Sequence, residues 1–155
     1  MRPSAVLRDV DWVLLAFFGG LFVVIGGAHQ AGVLDRPLGW LHLGNNAGSI
    51  LSIHLFSTVA SQAVSNVPLT LVLAPLLHDI PGDTLWLSLA SAATLAGNAT
   101  LIGAVANLIV AEGADRLGVR LGFLEFFKVG LVVTVLTIAA SIAILLLEFR
   151  LGFLR

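Results

Sequence analysis

Two short polar interruptions hold the residues of this sequence that are suited to chemistry. Ser65-Asn66-Val67-Pro68 divides the apolar run 48–77, and Gly97-Asn98-Ala99-Thr100 divides the run 84–111. Serine, threonine and asparagine offer oxygens to a small cation and N–H or O–H donors to an anion. A helix ending at such a break leaves carbonyls unpaired, which suits a cation. A helix starting there leaves amides unpaired, which suits an anion. Two breaks meeting at mid-depth in a membrane therefore make a paired cation and anion site without a formal charge. The candidate substrate- and ion-binding residues are Ser65, Asn66, Gly97, Asn98 and Thr100. Ser61, Val67 and Asn107 form an outer group. For Ser61 and Asn107, ordinary hydrogen bonding between helices explains the residue type better than a ligand does.

The elements that position these breaks are membrane elements. The chain has 155 residues, 58% hydrophobic and 11% charged, with a mean hydropathy of +1.03. Soluble domains sit nearer about 45–50% apolar and about 25% charged. Trp12–Ala28, Pro37–His78, Thr84–Ala111 and Val129–Leu147 carry no Asp, Glu, Lys or Arg. A crossing needs about 20 such residues, so these blocks leave no room for a soluble domain. A net charge of −1 gives nucleic acid no basic footprint. The lack of cysteine excludes disulfides, thiol catalysis and Cys-ligated metals. No nucleophile elbow, zinc spacing or phosphate-cradling loop is present, so an enzyme is not expected. Beyond Na⁺ at the same residues, no metal or cofactor is expected.

The expected fold is an all-α integral membrane domain with a re-entrant helical hairpin and a broken transmembrane helix; the resemblance given below implies one inverted-repeat half of a secondary transporter. Residues 12–34 read as a transmembrane helix, with Asp9 and Asp11 in front of it arguing against a cleaved signal. Residues 48–78 read as a re-entrant hairpin with its tip at 65–68, where Pro68 suits a first helical turn and Asn66 a cap. The limb after the tip spans only about 18 Å, too little to cross. Residues 84–111 read as a broken transmembrane helix with its break at 97–100, residues 112–125 as a cytoplasmic loop with an interfacial helix, and residues 126–148 as a final crossing. Such breaks persist in hydrocarbon only where protein, water or a ligand satisfies the freed backbone groups. Arg2, Arg8, Arg116, Arg120 and Lys128 outnumber Arg36, Arg150 and Arg155, which places the N-terminus in the cytoplasm of a multi-pass protein of the inner (plasma) membrane. His54 is the one ionisable residue inside a predicted limb, and a neutral, hydrogen-bonded histidine is the simpler reading. Asp79, Asp83, Glu125 and Glu148 read as solvated ends.

Asp11-Trp12 leading into Phe17-Phe18-Gly19-Gly20-Leu21-Phe22-Val23-Val24 resembles the helix that opens the C-terminal repeat of the ion-transporter superfamily. That group includes citrate–metal transporters, arsenite pumps, NhaD-type sodium/proton antiporters and divalent anion/sodium symporters. Ser65-Asn66-Val67-Pro68-Leu69 resembles its hairpin-tip motif, and Gly97-Asn98-Ala99-Thr100-Leu101-Ile102-Gly103 with Ala106-Asn107-Leu108 resembles its broken helix. The resemblance implies two inverted repeats and alternating access, with Ser65, Asn66, Gly97 and Asn98 at the Na⁺ and anion site. Val67 stands where dicarboxylate symporters carry threonine, which favours the broader anion-permease branch. One hairpin and one broken helix make one repeat, so the implied partners are the N-terminal repeat, the lipid bilayer and a small inorganic or carboxylate anion. A homodimer is compatible with this. The expected function is cation-coupled (Na⁺ or H⁺) anion transport. Arsenite efflux and sodium/proton antiport are the alternatives within that mechanism. A non-transporting fragment or assembly partner is the alternative from another class.

Overall fold

In the computed structural model, residues 12–33, 38–39, 41 and 43–153 are described, and they contain helices and no strand. In order these are α1 (Trp12–Gln30), α2 (Ala47–Val64), α3 (Asn66–Leu77), α4 (Thr84–Ala96), α5 (Val105–Arg116) and α6 (Phe123–Leu151). α1 belongs to a unit separate from residues 37–155 and stands by itself. It ends at Gln30, where Gly32 turns left-handed (φ 68°) and the Val33 N–H donates to the Ala28 carbonyl at 3.2 Å. The expected helix end at Leu34 lies outside the described residues, as do Arg2, Arg8, Asp9, Asp11 and Arg36.

In the second unit each helix boundary has a local cause. Asn46 Oδ1 accepts from the Ser49 N–H at 3.0 Å and caps α2. α6 starts after Gly122, whose N–H donates to Glu125 Oε2 at 3.4 Å, and stops at left-handed Gly152 (φ 76°). Those two ends carry α6 three residues past the expected 126–148 on each side, to 29 residues. α5 reaches Arg116, into the stretch expected as a loop, with Arg116 paired to Glu112 at 2.6 Å one turn back.

α4 is the centre of the unit and packs on α2, α3 and α6; α2 also packs on α3 and α6. Ile53 of α2, Leu69, Leu73 and Leu77 of α3, and Leu85, Leu89 and Ala92 of α4 form one buried apolar cluster. Ile53 and Leu77 each lie twelve positions from Ser65, in opposite directions along the chain. As one straight rod they would stand about 36 Å apart. Their shared cluster shows that α2 and α3 fold back as a helical hairpin. Its limbs are unequal, at 18 and 12 residues.

Beside that apolar cluster the interior also holds polar side chains, while the outside is apolar. Ser49, His54, Ser57, Ser61, Thr84, Ser88 and Thr134 are each at most 1% exposed. Val129, Leu131, Val132, Val135 and Leu136 of α6 are meanwhile exposed. Water would reverse that arrangement, whereas lipid favours it. Among the described helices, α2 and α6 are long and apolar enough to cross a membrane. His54 ties three helices together. Its Nδ1–H donates to the Ile50 carbonyl at 2.8 Å, and Nε2 accepts from Ser141 Oγ at 3.0 Å and Ser91 Oγ at 3.3 Å. That pattern uses both nitrogens of a neutral ring.

Candidate functional site

The first break is a single residue. Ser65 ends α2 and begins α3 with φ 66° and ψ 165°. This is a conformation that glycine adopts and other residues reach only at a cost of about 1–3 kcal/mol. No other described non-glycine residue has a positive φ. The Ser65 N–H still donates to the Ser61 carbonyl at 2.9 Å, so α2 closes its last turn before the chain reverses. Asn66, Val67 and Pro68 already lie in the first turn of α3, so the cap position belongs to Ser65 rather than Asn66. Asn66 Oδ1 instead accepts from the Val67 N–H at 2.9 Å. The Asn66 side-chain NH₂ makes no hydrogen bond to a described residue. Val67 is 40% exposed.

The second break is longer than its motif. α4 ends at Ala96 and α5 begins at Val105, so the chain is unwound from Gly97 to Ala104. Turn amides and side chains share its carbonyls: the Ala96 oxygen accepts from the Ala99 N–H and the Thr100 oxygen from the Gly103 N–H, each at 3.1 Å. Asn107 Nδ2 donates to the Gly97 carbonyl at 2.8 Å and to the Thr100 carbonyl at 3.0 Å, bridging the break from beyond it. The Thr100 hydroxyl donates to Gln62 Oε1 at 2.9 Å. Gln62 Nε2 donates to the Ala96 carbonyl, the last of α4, at 2.7 Å and to the Thr58 carbonyl at 3.2 Å. Backbone packing is equally close. A Cβ on Gly103 would lie 3.0 Å from Gln62 Oε1 and from the Gly97 oxygen. A Cβ on Gly130 of α6 would collide with the Asn98 carbonyl oxygen.

The two breaks therefore meet. Gln62 reaches from the last turn of α2 to the end of α4, and Ser65 Oγ lies 3.4 Å from Asn66 Oδ1 and 3.5 Å from the Gly103 carbonyl oxygen. Not every candidate residue converges on one cavity. Asn66 and Val67 line a groove of about 350 Å³ with Thr70, Leu71, Ala93 and Thr94. Asn98 lines another of about 530 Å³ with Glu125, Phe126, Val129 and Gly130. Ser61 Oγ is buried without a partner among the described residues, as are the hydroxyls of Ser57 and Thr134.

Donors and acceptors are divided unequally. At the second break the amide protons of Asn107 and Gln62 and the Thr100 hydroxyl proton are committed within the protein, leaving oxygen lone pairs on offer beside the uncommitted amide of Asn98. At the first, the Asn66 amide protons are uncommitted. Among the described residues no three His, Cys, Asp or Glu gather as a metal cluster. Carbonyl and hydroxyl oxygens are the ligands an alkali cation takes.

Gln62, Gly103 and Gly130 were not among the sequence candidates. Gln62 had a legible signal, a polar residue one turn before Asn66 in an apolar limb. Gly130 had none, because nothing local says which carbonyls its missing side chain accommodates.

The sequence is similar to known transporters. The citrate transporter family profile matches residues 1–88. A Dictyostelium discoideum protein named "Putative transporter arsB" is 38% identical over 92% of this chain and 26% of its own length. An uncharacterized transporter of Mycobacterium tuberculosis is 33% identical over 96% of this chain and 37% of its own. The human P protein is 30% identical over 91% of this chain and 19% of its own. The chain thus spans between about a quarter and somewhat over a third of the first two relatives. No solved structure matches it significantly.

Proposed function

The chain belongs to the citrate transporter family of membrane proteins, and from that premise we propose that it forms half of a permease that carries an anion across the membrane with a coupled cation, by alternating access. The observation that carries the proposal is Ser65. A serine held in glycine's conformation, at a helix break, is strain kept where relaxation was one substitution away, and such strain gathers at functional positions. What the strain holds in place is the Ser65 hydroxyl, between Asn66 Oδ1 and the Gly103 carbonyl of the second break.

The division of donors and acceptors supports the roles. Thr100, Gly97 and Ser65 supply oxygens to the cation, Na⁺ or H⁺ as hydronium. Asn66 and the start of α3 supply N–H groups to the anion. Asn98, whose side-chain amide makes no hydrogen bond to a described residue, completes the site. Both grooves are open in this chain, and a second, inverted repeat closes them. The α2–α3 hairpin enters the membrane and leaves on the same side, because the 12 residues of α3 span only about 18 Å. The membrane is the plasma membrane, with the N-terminus cytoplasmic.

The test is uptake into proteoliposomes by the full-length transporter that carries this chain. A panel of carboxylate and inorganic anions is offered under a sodium or a proton gradient. Asn66→Ala and Asn98→Ala each lower uptake of the transported anion about tenfold or more, the loss of one hydrogen bond to a charged group. Full uptake in both variants would remove the site from this position.

A further inference from the structure

We propose that Gln62 is a positioning residue that makes the second break a sodium-binding surface, by taking the Thr100 hydroxyl proton so that Thr100 Oγ1 keeps only lone pairs for an ion. This rests on the transport reading above and names both the cation and a residue that tunes it. The orientation of the Gln62 amide follows from its neighbours. One end of the group faces two carbonyl oxygens, those of Ala96 at 2.7 Å and Thr58 at 3.2 Å. Carbonyls only accept, so that end is the NH₂ and the other is Oε1. Thr100 Oγ1, 2.9 Å from Oε1, must then be the donor. A hydroxyl has one proton, and with it spent on Gln62 the oxygen repels an anion and attracts a cation.

The same side chain removes a competitor. The Ala96 carbonyl accepts from Gln62 Nε2 beside the Ala99 N–H, and the carbonyls of Gly97 and Thr100 are held by Asn107. The unwound segment is thus fixed before any ion arrives, which lowers the ordering cost of binding. Gln62 also leaves no room for slack. Oε1 sits 3.0 Å from where a side chain on Gly103 would begin, so the segment reaches Gln62 only because residue 103 is glycine. Gln62 need not touch the ion. It acts through Thr100.

The experiment measures the thermal midpoint of the purified full-length transporter against sodium concentration at constant ionic strength, with choline as the replacement. Sodium raises the wild-type midpoint, as a ligand of the folded state does. Gln62→Met and Thr100→Val each move the half-effective sodium concentration up about tenfold, and the double variant moves it no further than Thr100→Val alone. Thr100→Ser stays near wild type. Gln62→Glu, which keeps an acceptor for the Thr100 proton but loses the donor to Ala96, binds sodium better than Gln62→Met. A purely structural role predicts the reverse, since a carboxylate facing the Ala96 oxygen is the worse substitution. If Gln62→Met fails to fold, Gln62→Glu against Thr100→Val still decides. A wild type whose midpoint ignores sodium, an additive double variant, or Gln62→Met with wild-type sodium affinity overturns the proposal. Failure of the transport reading is separate, and appears as no anion uptake by the wild type.

Discussion

At Ser65 the chain passes from one helix to the next within a single residue, whereas between α4 and α5 it stays unwound from Gly97 to Ala104. The short break concentrates its cost in one backbone conformation and needs little help from side chains. The long break has no described non-glycine residue at positive φ, with Ala104 in ordinary extended geometry (φ −145°, ψ 140°), but its Gly97 carbonyl takes a side-chain partner, as do those of Ala96 and Thr100 beside their turn amides. Asn107 and Gln62 are those partners, and Gly103 and Gly130 let the backbone come close enough. Strain at one break and stitching at the other are two ways to interrupt a helix while leaving few buried peptide groups unpaired.

The contrast is testable from its strongest side first. Gly130→Leu places a side chain where the Asn98 carbonyl sits, and that carbonyl is backbone and cannot swing away. Overpacking of this kind costs about 1–3 kcal/mol or more, and the expected result is a loss of folded protein in a size-exclusion profile. A normal profile would mean that the second break is not pressed against α6. Asn107→Leu keeps the approximate volume but strands the Gly97 carbonyl and leaves the Thr100 carbonyl only the Gly103 N–H, at roughly 1–3 kcal/mol. The expected reading is a lower thermal midpoint together with faster amide hydrogen exchange over residues 97–104. A lowered midpoint without that local change would place the effect elsewhere.

The smallest effect has the opposite sign. Ser65→Gly relieves a strain of about 1–3 kcal/mol, partly offset by glycine's greater freedom when unfolded. Its thermal midpoint therefore rises while anion uptake falls, because the hydroxyl leaves with the strain. If Ser65→Gly were both less stable and fully active, the first break would be neither strained nor functional. Read together, the three variants separate a break held by packing from one held by side-chain bonds and one held by a single torsion.

Much of this was legible without coordinates. Pro68 marked the start of a helix and Ser65-Asn66 the point where the chain must turn, because proline and short polar residues constrain their own backbone. Gly97-Asn98 marked the place where α4 stops. Asn107 was visible as a polar residue two turns after Thr100, and its amide bonds carbonyls of its own break rather than a neighbouring helix. The extent of the second break was not visible. Residues 101–104, Leu-Ile-Gly-Ala, are compatible with a helix, and only the bonds from Gln62 and Asn107 and the approach of α6 keep them unwound. His54 looked ordinary in the sequence. Its two hydroxyl partners lie 37 and 87 positions away.

The sequence by itself determined the solvent, the helical content and the positions where helices cannot continue, since these depend on composition and on torsions within a few residues. Tertiary structure alone decided that the two breaks meet through Gln62, that Asn66 and Asn98 face different grooves, and that a glycine on α6 receives the Asn98 carbonyl. Those contacts join residues dozens of positions apart. Whether a freed carbonyl finds an amide, a hydroxyl or nothing depends on which helix lies beside it, and local chemistry does not carry that information.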